Sequence, residues 1–184
     1  MARRKETINE SFLADKFRAK ILALAIKGKL THGTNNWKMV KGRDLFEETE
    51  SKKPKGDYFD YIDTDAVDNK TNKIVDVKHL PCAKAPSRAS RGLQVGDVLF
   101  SKVRPYLRNI ALVEEQHKDC IATTGFFVCR SKLCTPKYLF YMMLSPYVVD
   151  GLMKFMKGDN SPSINEDNIK NFEFPVQQSK SKKK

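Results

Sequence analysis

The sequence predicts a mixed α/β fold in which short helices and a twisted, mainly antiparallel sheet follow one long N-terminal helix. Apolar residues recur at helical spacing over residues 6–30. Short apolar runs bounded by turn residues then predict strands, and the apolar segments that start at Pro136 and Pro146 predict helices. A length of 184 residues favours one domain with an appendage.

The N-terminal helix has an unusually broad apolar stripe. Thr7 and Glu10 have the spacing of a capping box, and Gly28 or Gly33 can end the helix. A helix that is apolar on more than one side needs more than one neighbour, so we expect it to contact another helix or a subunit as well as its own domain. The residues predicted to make this contact are Phe12, Phe17, Ile21, Leu24 and Ala25.

Composition divides the whole chain into three parts. Residues 1–33 are expected to form the helix, residues 34–176 a globular domain, and residues 177–184 a disordered lysine-rich tail. A polar linker is predicted at 31–36. Strands are predicted at 58–62, 74–75, 98–100, 110–113, 120–122, 125–129 and 172–175, and short helices at 41–46, 136–144, 146–156 and 164–169. Residues 114–119 are expected to form a hairpin tip, and residues 84–92 an exposed basic loop.

The charge balance favours a polyanionic partner. The formal net charge is +12, and about +8 remains when the four tail lysines are set aside. No apolar run approaches the roughly 20 residues of a membrane span, and the N-terminus lacks a signal-peptide pattern. None of the four cysteines forms a Cys-x-x-Cys pair, so reduced thiols in a cytoplasmic protein are expected, without a metal site.

The sequence lacks the common catalytic motifs. It has no Walker A loop, no glycine-rich dinucleotide fingerprint, no nucleophile elbow and no amino-methyltransferase motif. The aspartates of residues 57–68 fail the pattern of a calcium loop and lack the lysine motif of a nuclease, which favours a turn-rich connection. His32, His79 and His117 are expected in polar loops. Binding is therefore favoured over catalysis.

One segment organises the domain in this prediction. A Gly96–Asp97 turn leads into the buried strand at 98–100, and a basic, aromatic stretch follows. If residues 102–108 are extended, alternate side chains share one face, with Val103 and Leu107 buried on the other. The exposed face would then present Lys102, Arg104, Tyr106 and Arg108 to nucleic acid.

These motifs resemble a known family. Gly-Asp-Val-Leu-Phe-Ser-x-Val-Arg-Pro-Tyr-Leu at 96–107, the strand at 122–128 and Ser-Pro-Ser-Ile-Asn at 161–165 are similar to the target recognition domain of type I restriction-modification specificity (S) subunits. Residues 17–30 resemble the end of that family's spacer helix, and the likeness covers about residues 10–176. The sequence departs from the full pattern in holding one helix and one recognition domain, so it is expected to be a half-size subunit or a fragment.

The resemblance implies a non-catalytic DNA-specificity subunit in a prokaryotic cytoplasm. Implied partners are double-stranded DNA, a modification (methyltransferase) subunit, a restriction subunit, and either a second S half or another copy of this chain. No cofactor would be bound directly, because S-adenosylmethionine, ATP and Mg²⁺ belong to the partner subunits. The alternatives are a stand-alone DNA-binding regulator and an RNA-binding protein.

Residue chemistry assigns roles within that implied function. Lys102, Arg104 and Arg108 would contact phosphates or guanine edges, although Arg104 could instead brace its own loop. Asn109 or Asn165 could pair with adenine. The residues expected to anchor the DNA backbone are Lys84, Ser87, Arg88 and Arg91.

Overall fold

The computed structural model describes residues 2–26, 28–30 and 37–177, and gives the backbone alone for residues 2–12 and 15. Several predictions fall outside the described residues. They concern the side chains of Thr7, Glu10 and Phe12, the linker at 31–36, and tail residues 178–184.

Helices and strands alternate irregularly along the described chain. In chain order they are α1 (Ala2–Ile26), β1 (Trp37–Lys41), α2 (Gly42–Leu45), β2 (Tyr58–Ile62), β3 (Val67–Asp68), β4 (Lys73–Ile74), β5 (Lys78–Pro81), β6 (Ala89–Gly92), β7 (Val98–Ser101), β8 (Ile110–Leu112), β9 (Ile121–Thr123), β10 (Phe126–Cys129), α3 (Pro136–Leu144), α4 (Pro146–Met153), α5 (Glu166–Asn171) and β11 (Glu173–Gln177). Short 3-10 helices lie at Thr64–Ala66, Cys82–Lys84, Pro105–Leu107 and Glu115–His117.

The strands form two main sheets and two small ones. One main sheet has the order β5-β2-β9-β6 and the other β10-β7-β8, while β1 pairs with β11 and β3 with β4. Every named pair is antiparallel except β2 with β9, which run parallel. The predicted mixed fold with mainly antiparallel pairing is confirmed.

The domain is layered around β7. Alternate residues of a strand face opposite sides, so Val98 and Phe100 point to one core and Leu99 to another. The first core lies under α3 and α4, and the second joins the two main sheets through residues such as Ile62 and Ala122. The four-stranded sheet therefore has an outer face away from the helices. A third, smaller cluster covers that face, comprising Phe59, Tyr61, Ala89 and Ile121 with Leu80, Cys82 and Ala85 packed against them.

The N-terminal helix is anchored at its C-terminal end. Ile26 is buried in the core under α3 and α4. Gly28, at a φ of +68°, ends the helix, and the Lys29 amide donates to the Leu24 carbonyl. Leu13, Phe17 and Ile21, at spacings of four residues, remain more than half exposed. Among the described residues, no helix is long and apolar enough to cross a membrane.

Three local predictions are wrong. Residues 89–92 form strand β6 instead of a loop, because they pair with β9. Residues 114–119 are not a hairpin tip, since β8 belongs to the three-stranded sheet and β9 to the other. Gln177, assigned to the tail, pairs with Trp37 at the end of β11.

A buried ion pair holds the start of β7. Asp97 is 1% exposed and accepts hydrogen bonds from Nε and Nη2 of Arg130, each at 2.8 Å. Its carboxylate also accepts from the Gln94 amide at 2.8 Å, while its carbonyl accepts from the Val113 amide. Asp97 thus joins the turn before β7 to the segments that follow β8 and β10.

We expect Asp97→Ala to lower the free energy of unfolding by about 3 kcal/mol, because it leaves the Arg130 charge without its partner. Asp97→Asn should cost less, since its amide oxygen still accepts hydrogen bonds. Urea unfolding of the three proteins measures the difference. The exposed Asp159→Ala serves as a control and should stay within about 0.5 kcal/mol of wild type. Equal stability of Asp97→Ala and wild type would contradict the role given to this pair.

Candidate nucleic-acid interface

The outer face of the four-stranded sheet carries a basic loop. Ala85 of this loop packs on the small cluster that includes Phe59 and Ile121. The loop side chains of Lys84, Ser87 and Arg88 are exposed.

The loop that presents Arg88 is anchored by its backbone. The Arg88 carbonyl accepts a hydrogen bond from the Thr124 amide at 2.8 Å, and the Ala89 amide donates to the Pro86 carbonyl. Arg88 Nη2 lies 3.9 Å from Asp63 Oδ1, a long contact for a side chain that is 58% exposed. An anchored backbone with exposed donors suits contact with phosphate oxygens.

A second basic loop lies on the same face and was missed by the sequence analysis. Lys52, Lys53 and Lys55 line a cavity whose floor includes Phe59 and Ile121. The same two apolar side chains pack beneath the 84–88 loop. The signal in the sequence is the stretch Lys-Lys-Pro-Lys at 52–55.

The predicted extended face of residues 102–108 is wrong. Pro105–Leu107 form a 3-10 helix, and both flanking arginines are left-handed, with φ +46° at Arg104 and +57° at Arg108. The amides of Leu107 and Arg108 donate to the carbonyls three residues earlier, which closes the turn. Tyr106 is 43% exposed as predicted, but Leu107 is 41% exposed instead of buried.

Arg91 and Lys102 converge on a carboxylate that the sequence analysis did not single out. Both donate to Oε1 of Glu166, Lys102 Nζ at 2.8 Å. Their side chains are only 19% and 14% exposed. Burial alone would raise the pKa of Glu166, but hydrogen bonding to Lys102 and the charges of Lys102, Arg91 and Lys170 outweigh burial and lower it. This network joins β6, the end of β7 and α5.

Arg104 and Arg108 also contact their own domain. Arg104 Nη2 donates to the Asn160 carbonyl at 3.0 Å, and its amide donates to the Pro162 carbonyl at 2.8 Å. Arg108 Nη1 lies 3.5 Å from the Leu144 carbonyl and its Nη2 3.7 Å from Asp150. Arg104 thus makes the bracing contact considered for it, and DNA contacts by Arg104 and Arg108 stay predictions.

The two candidate adenine-reading amides have structural partners. Asn109 Nδ2 donates to the Thr64 carbonyl at 2.8 Å. Asn165 caps α5, its Oδ1 accepting from the Asn168 amide at 2.9 Å, and Asn168 completes a capping box. Base contacts by Asn109 and Asn165 stay predictions.

Side-chain hydrogen bonds divide the ten predicted DNA contacts into two sets. Over the described ranges, the exposed residues that make no side-chain hydrogen bond within the domain are Lys84, Ser87, Arg88 and Tyr106. Those with side-chain partners inside the domain are Arg91, Lys102, Arg104, Arg108, Asn109 and Asn165. The first set is therefore the better placed for a ligand.

The described histidines lie in short elements of secondary structure instead of loops, and only His79 has the expected polar surroundings. His79 lies in β5, and its Nδ1 is 2.8 Å from Asp60 Oδ1. His117 is 7% exposed, and burial lowers its pKa. His32 lies outside the described residues, and within those residues no three or more His, Cys, Asp or Glu side chains are grouped so that they could hold a metal ion. Over the same ranges all four cysteines are free thiols.

Comparison with solved structures identifies similar proteins. The HsdS subunit from Thermoanaerobacter tengcongensis superposes with a TM-score of 0.71 and 32% identity, covering 79% of this chain and 39% of that one. A chain solved in work on complex assembly and conformational transition of the type I R-M system gives 0.71 and 33%, with 78% and 38% covered. No protein-family model and no curated protein matches the sequence.

The resemblance found in the sequence is thereby confirmed. The chain has the fold of a recognition domain of HsdS specificity subunits of type I restriction-modification systems. It spans about two fifths of the length of the similar chains.

The Glu166 network should make stability depend on pH. A lowered folded-state pKa stabilises the fold above the ordinary value of 4.5, and this contribution is lost as the pH falls through the folded-state pKa. Urea unfolding from about pH 6 to about pH 3 should therefore show a shallower loss of stability for Glu166→Gln than for wild type. Exposed Glu50→Gln is the control and should follow the wild-type curve. Parallel curves for all three proteins would contradict a pKa effect of Glu166.

Proposed function

We propose that this chain is a DNA-specificity component of a type I restriction-modification system. In this proposal it binds double-stranded DNA at a specific sequence and directs adenine methylation and DNA cleavage by partner subunits. The observation that supports the proposal is the shared fold with HsdS, at 32% identity over 79% of the chain. Similarity at this level across one whole domain favours a common role over a common architecture alone.

DNA contact is proposed on the outer face of the four-stranded sheet. Lys84 and Arg88 supply cations there, and Ser87 supplies a hydroxyl, on a loop whose backbone is anchored. These groups suit phosphate oxygens, which position a protein on duplex DNA without reading sequence. Exposed Tyr106 is a further candidate contact, beyond the end of β7.

The chemistry is assigned to partner subunits in this proposal. A modification subunit would bind S-adenosylmethionine and methylate adenine, and a restriction subunit would use ATP and Mg²⁺. This chain would work in the cytoplasm as the non-catalytic component that selects the site. Because the chain spans about two fifths of the HsdS length, one recognition domain would read one half of a bipartite site.

The helix α1 is proposed to pair with a second S half or another copy of this chain. Leu13, Phe17 and Ile21 are separated by four residues and therefore share one face of the helix. All three are more than half exposed. By contrast, Leu24 and Ala25 are half-buried near the anchored end of the helix, where they contribute less surface to a partner.

Mapping N6-methyladenine tests the function. We expect that expression of this chain with the modification subunit encoded beside it places N6-methyladenine at one bipartite motif, read by sequencing the host DNA. Omitting this chain is the control and should abolish the mark at that motif. A symmetric motif indicates pairing of two copies, and an asymmetric motif indicates a different second half. Absence of a complex with the modification subunit would contradict the proposal and favour a stand-alone regulator.

Substitution of the exposed stripe tests the pairing. We expect Phe17→Ser with Ile21→Ser to abolish association with a second S polypeptide, because two apolar contacts of the interface become polar. Light scattering on the purified S component measures its mass. Leu133→Ser, an equally exposed apolar position on the domain, is the control and should leave the mass unchanged. A monomeric wild-type S component in the assembled complex would show the pairing to be wrong.

A further inference from the structure

An exposed aromatic pair stands beside the lysine loop. The rings of Tyr58 and His79 stack with centroids 5.0 Å apart and an interplanar angle of 7°. Tyr58 is 58% exposed, because it begins β2 and faces the side opposite to its buried neighbour Phe59. A large aromatic side chain presented to solvent at the edge of a basic surface is a common feature of nucleic-acid interfaces.

The aromatic pair and the lysine loop enclose one cavity. It has a volume of about 370 Å³, and the residues that line it are Lys52, Lys53, Lys55, Tyr58, Phe59, Asp60, His79, Asp119 and Ile121. Within the described part of the chain, none of the three lysines has a carboxylate within salt-bridge distance. One of the two acids, Asp60, is hydrogen-bonded to His79. The cavity therefore has cations available for an anionic ligand.

The loop is fixed at its start by the edge strand. The Lys52 amide donates to the Ser90 carbonyl at 2.9 Å, next to a bridge between Ser51 and Arg91. The Lys52 stem runs over Gly92, where an added Cβ would lie 3.0 Å from Lys52 Cβ and Cδ. The base of the loop is thus positioned before any ligand binds, which reduces the entropy lost on binding.

We propose that the surface formed by Lys52, Lys53, Lys55, Tyr58 and His79 is a second contact site for the sugar–phosphate backbone of duplex DNA. This inference rests on the proposed function and assigns a specific site to it. Phe59 and Ile121 line the same cavity and also belong to the cluster under the 84–88 loop. The lysine loop therefore borders the same apolar cluster as the 84–88 loop, whereas Tyr58 and His79 line the cavity from the other side of β2 and β5.

Each group has a distinct role in the proposed contact. The lysine ammonium groups neutralise phosphates, and the Tyr58 hydroxyl donates to a phosphate oxygen. Stacking against His79 fixes the plane of the Tyr58 ring. The hydrogen bond between Nδ1 of His79 and Asp60 holds the imidazole ring against which Tyr58 stacks. None of these contacts reads a base, and the site therefore adds affinity without adding sequence specificity.

The test is the salt dependence of duplex binding by the complex of this chain with its modification subunit. Affinity is measured between about 50 and about 200 mM salt, where each lost phosphate contact changes the logarithmic slope by about 0.9. We expect the triple variant Lys52→Gln, Lys53→Gln, Lys55→Gln to lower the slope by about two to three. Binding should weaken by the same factor for target and non-target duplexes, and the methylated motif should not change.

A second triple variant controls for net charge. Lys132→Gln, Lys137→Gln and Lys154→Gln remove the same charge from exposed positions around α3 and α4, on the helical side of the domain. This variant should change the slope by less than about one. Equal slope changes in the two triple variants, or no change in either, would overturn the proposed site. The proposed site would also be overturned if the lysine triple variant lost binding to single-stranded DNA but kept wild-type binding to duplex DNA.

Two milder variants keep the test informative if the triple variant folds poorly. Lys53→Gln with Lys55→Gln leaves the packed Lys52 stem in place and should lower the slope by about two. Tyr58→Phe keeps the ring and removes the hydroxyl. This change should weaken duplex binding several-fold without altering the methylated DNA motif. If the wild-type complex fails to bind any specific duplex, the proposed function is wrong. If the wild-type complex binds a specific duplex and the variants bind it with the same affinity and salt dependence, only this second contact site is wrong.

Discussion

The buried pair between Asp97 and Arg130 is the constraint on which the rest of the domain depends. It lies at the start of β7, the strand that contributes side chains to both large cores. Because Asp97 also accepts from the Gln94 amide and its carbonyl accepts from Val113, the register of β7 against β8 is fixed at one end. A one-residue shift would exchange the faces of Leu99 and Phe100 and disrupt both cores. The position of β7 consequently determines how both the sheets and the helical layer pack.

Strands and helices with strong apolar patterns could be predicted, and those formed by pairing could not. The strands β2, β7, β8 and β10 and the helices α3 and α4 lie close to their predicted positions, since apolar runs and initiating prolines mark them. Strand β6 has the sequence Ala-Ser-Arg-Gly, which contains no apolar alternation. It is a strand because β9 on one side and the Ser51 bridge on the other satisfy its backbone. Such pairing is a property of the tertiary structure and leaves no local signal.

The candidate interface was predictable in its loop and not in its strand-like segment. Lys84, Ser87 and Arg88 are exposed, as a polar, proline-containing stretch indicates. The alternating cations at 102–108 suggested a face, but Pro105 fixes a turn there, and the arginines contact carbonyl groups of neighbouring segments. The sequence alone could not show that Arg91 and Lys102 meet Glu166, because the three residues are distant along the chain. Positive charge along the sequence therefore did not indicate which cations contact their own domain.

The pairing of β1 with β11 has a consequence for how the domain folds. Trp37 lies opposite Gln177, so one ladder joins the two extremes of the domain. A contact between residues so far apart carries a large loop-closure entropy, so we expect it to form after the local hairpins and helices have shortened the effective loop. The domain is thus expected to close its ends late in folding. Once closed, both ends leave from one edge, a geometry that lets a folded unit be joined to helical segments without disturbing its core.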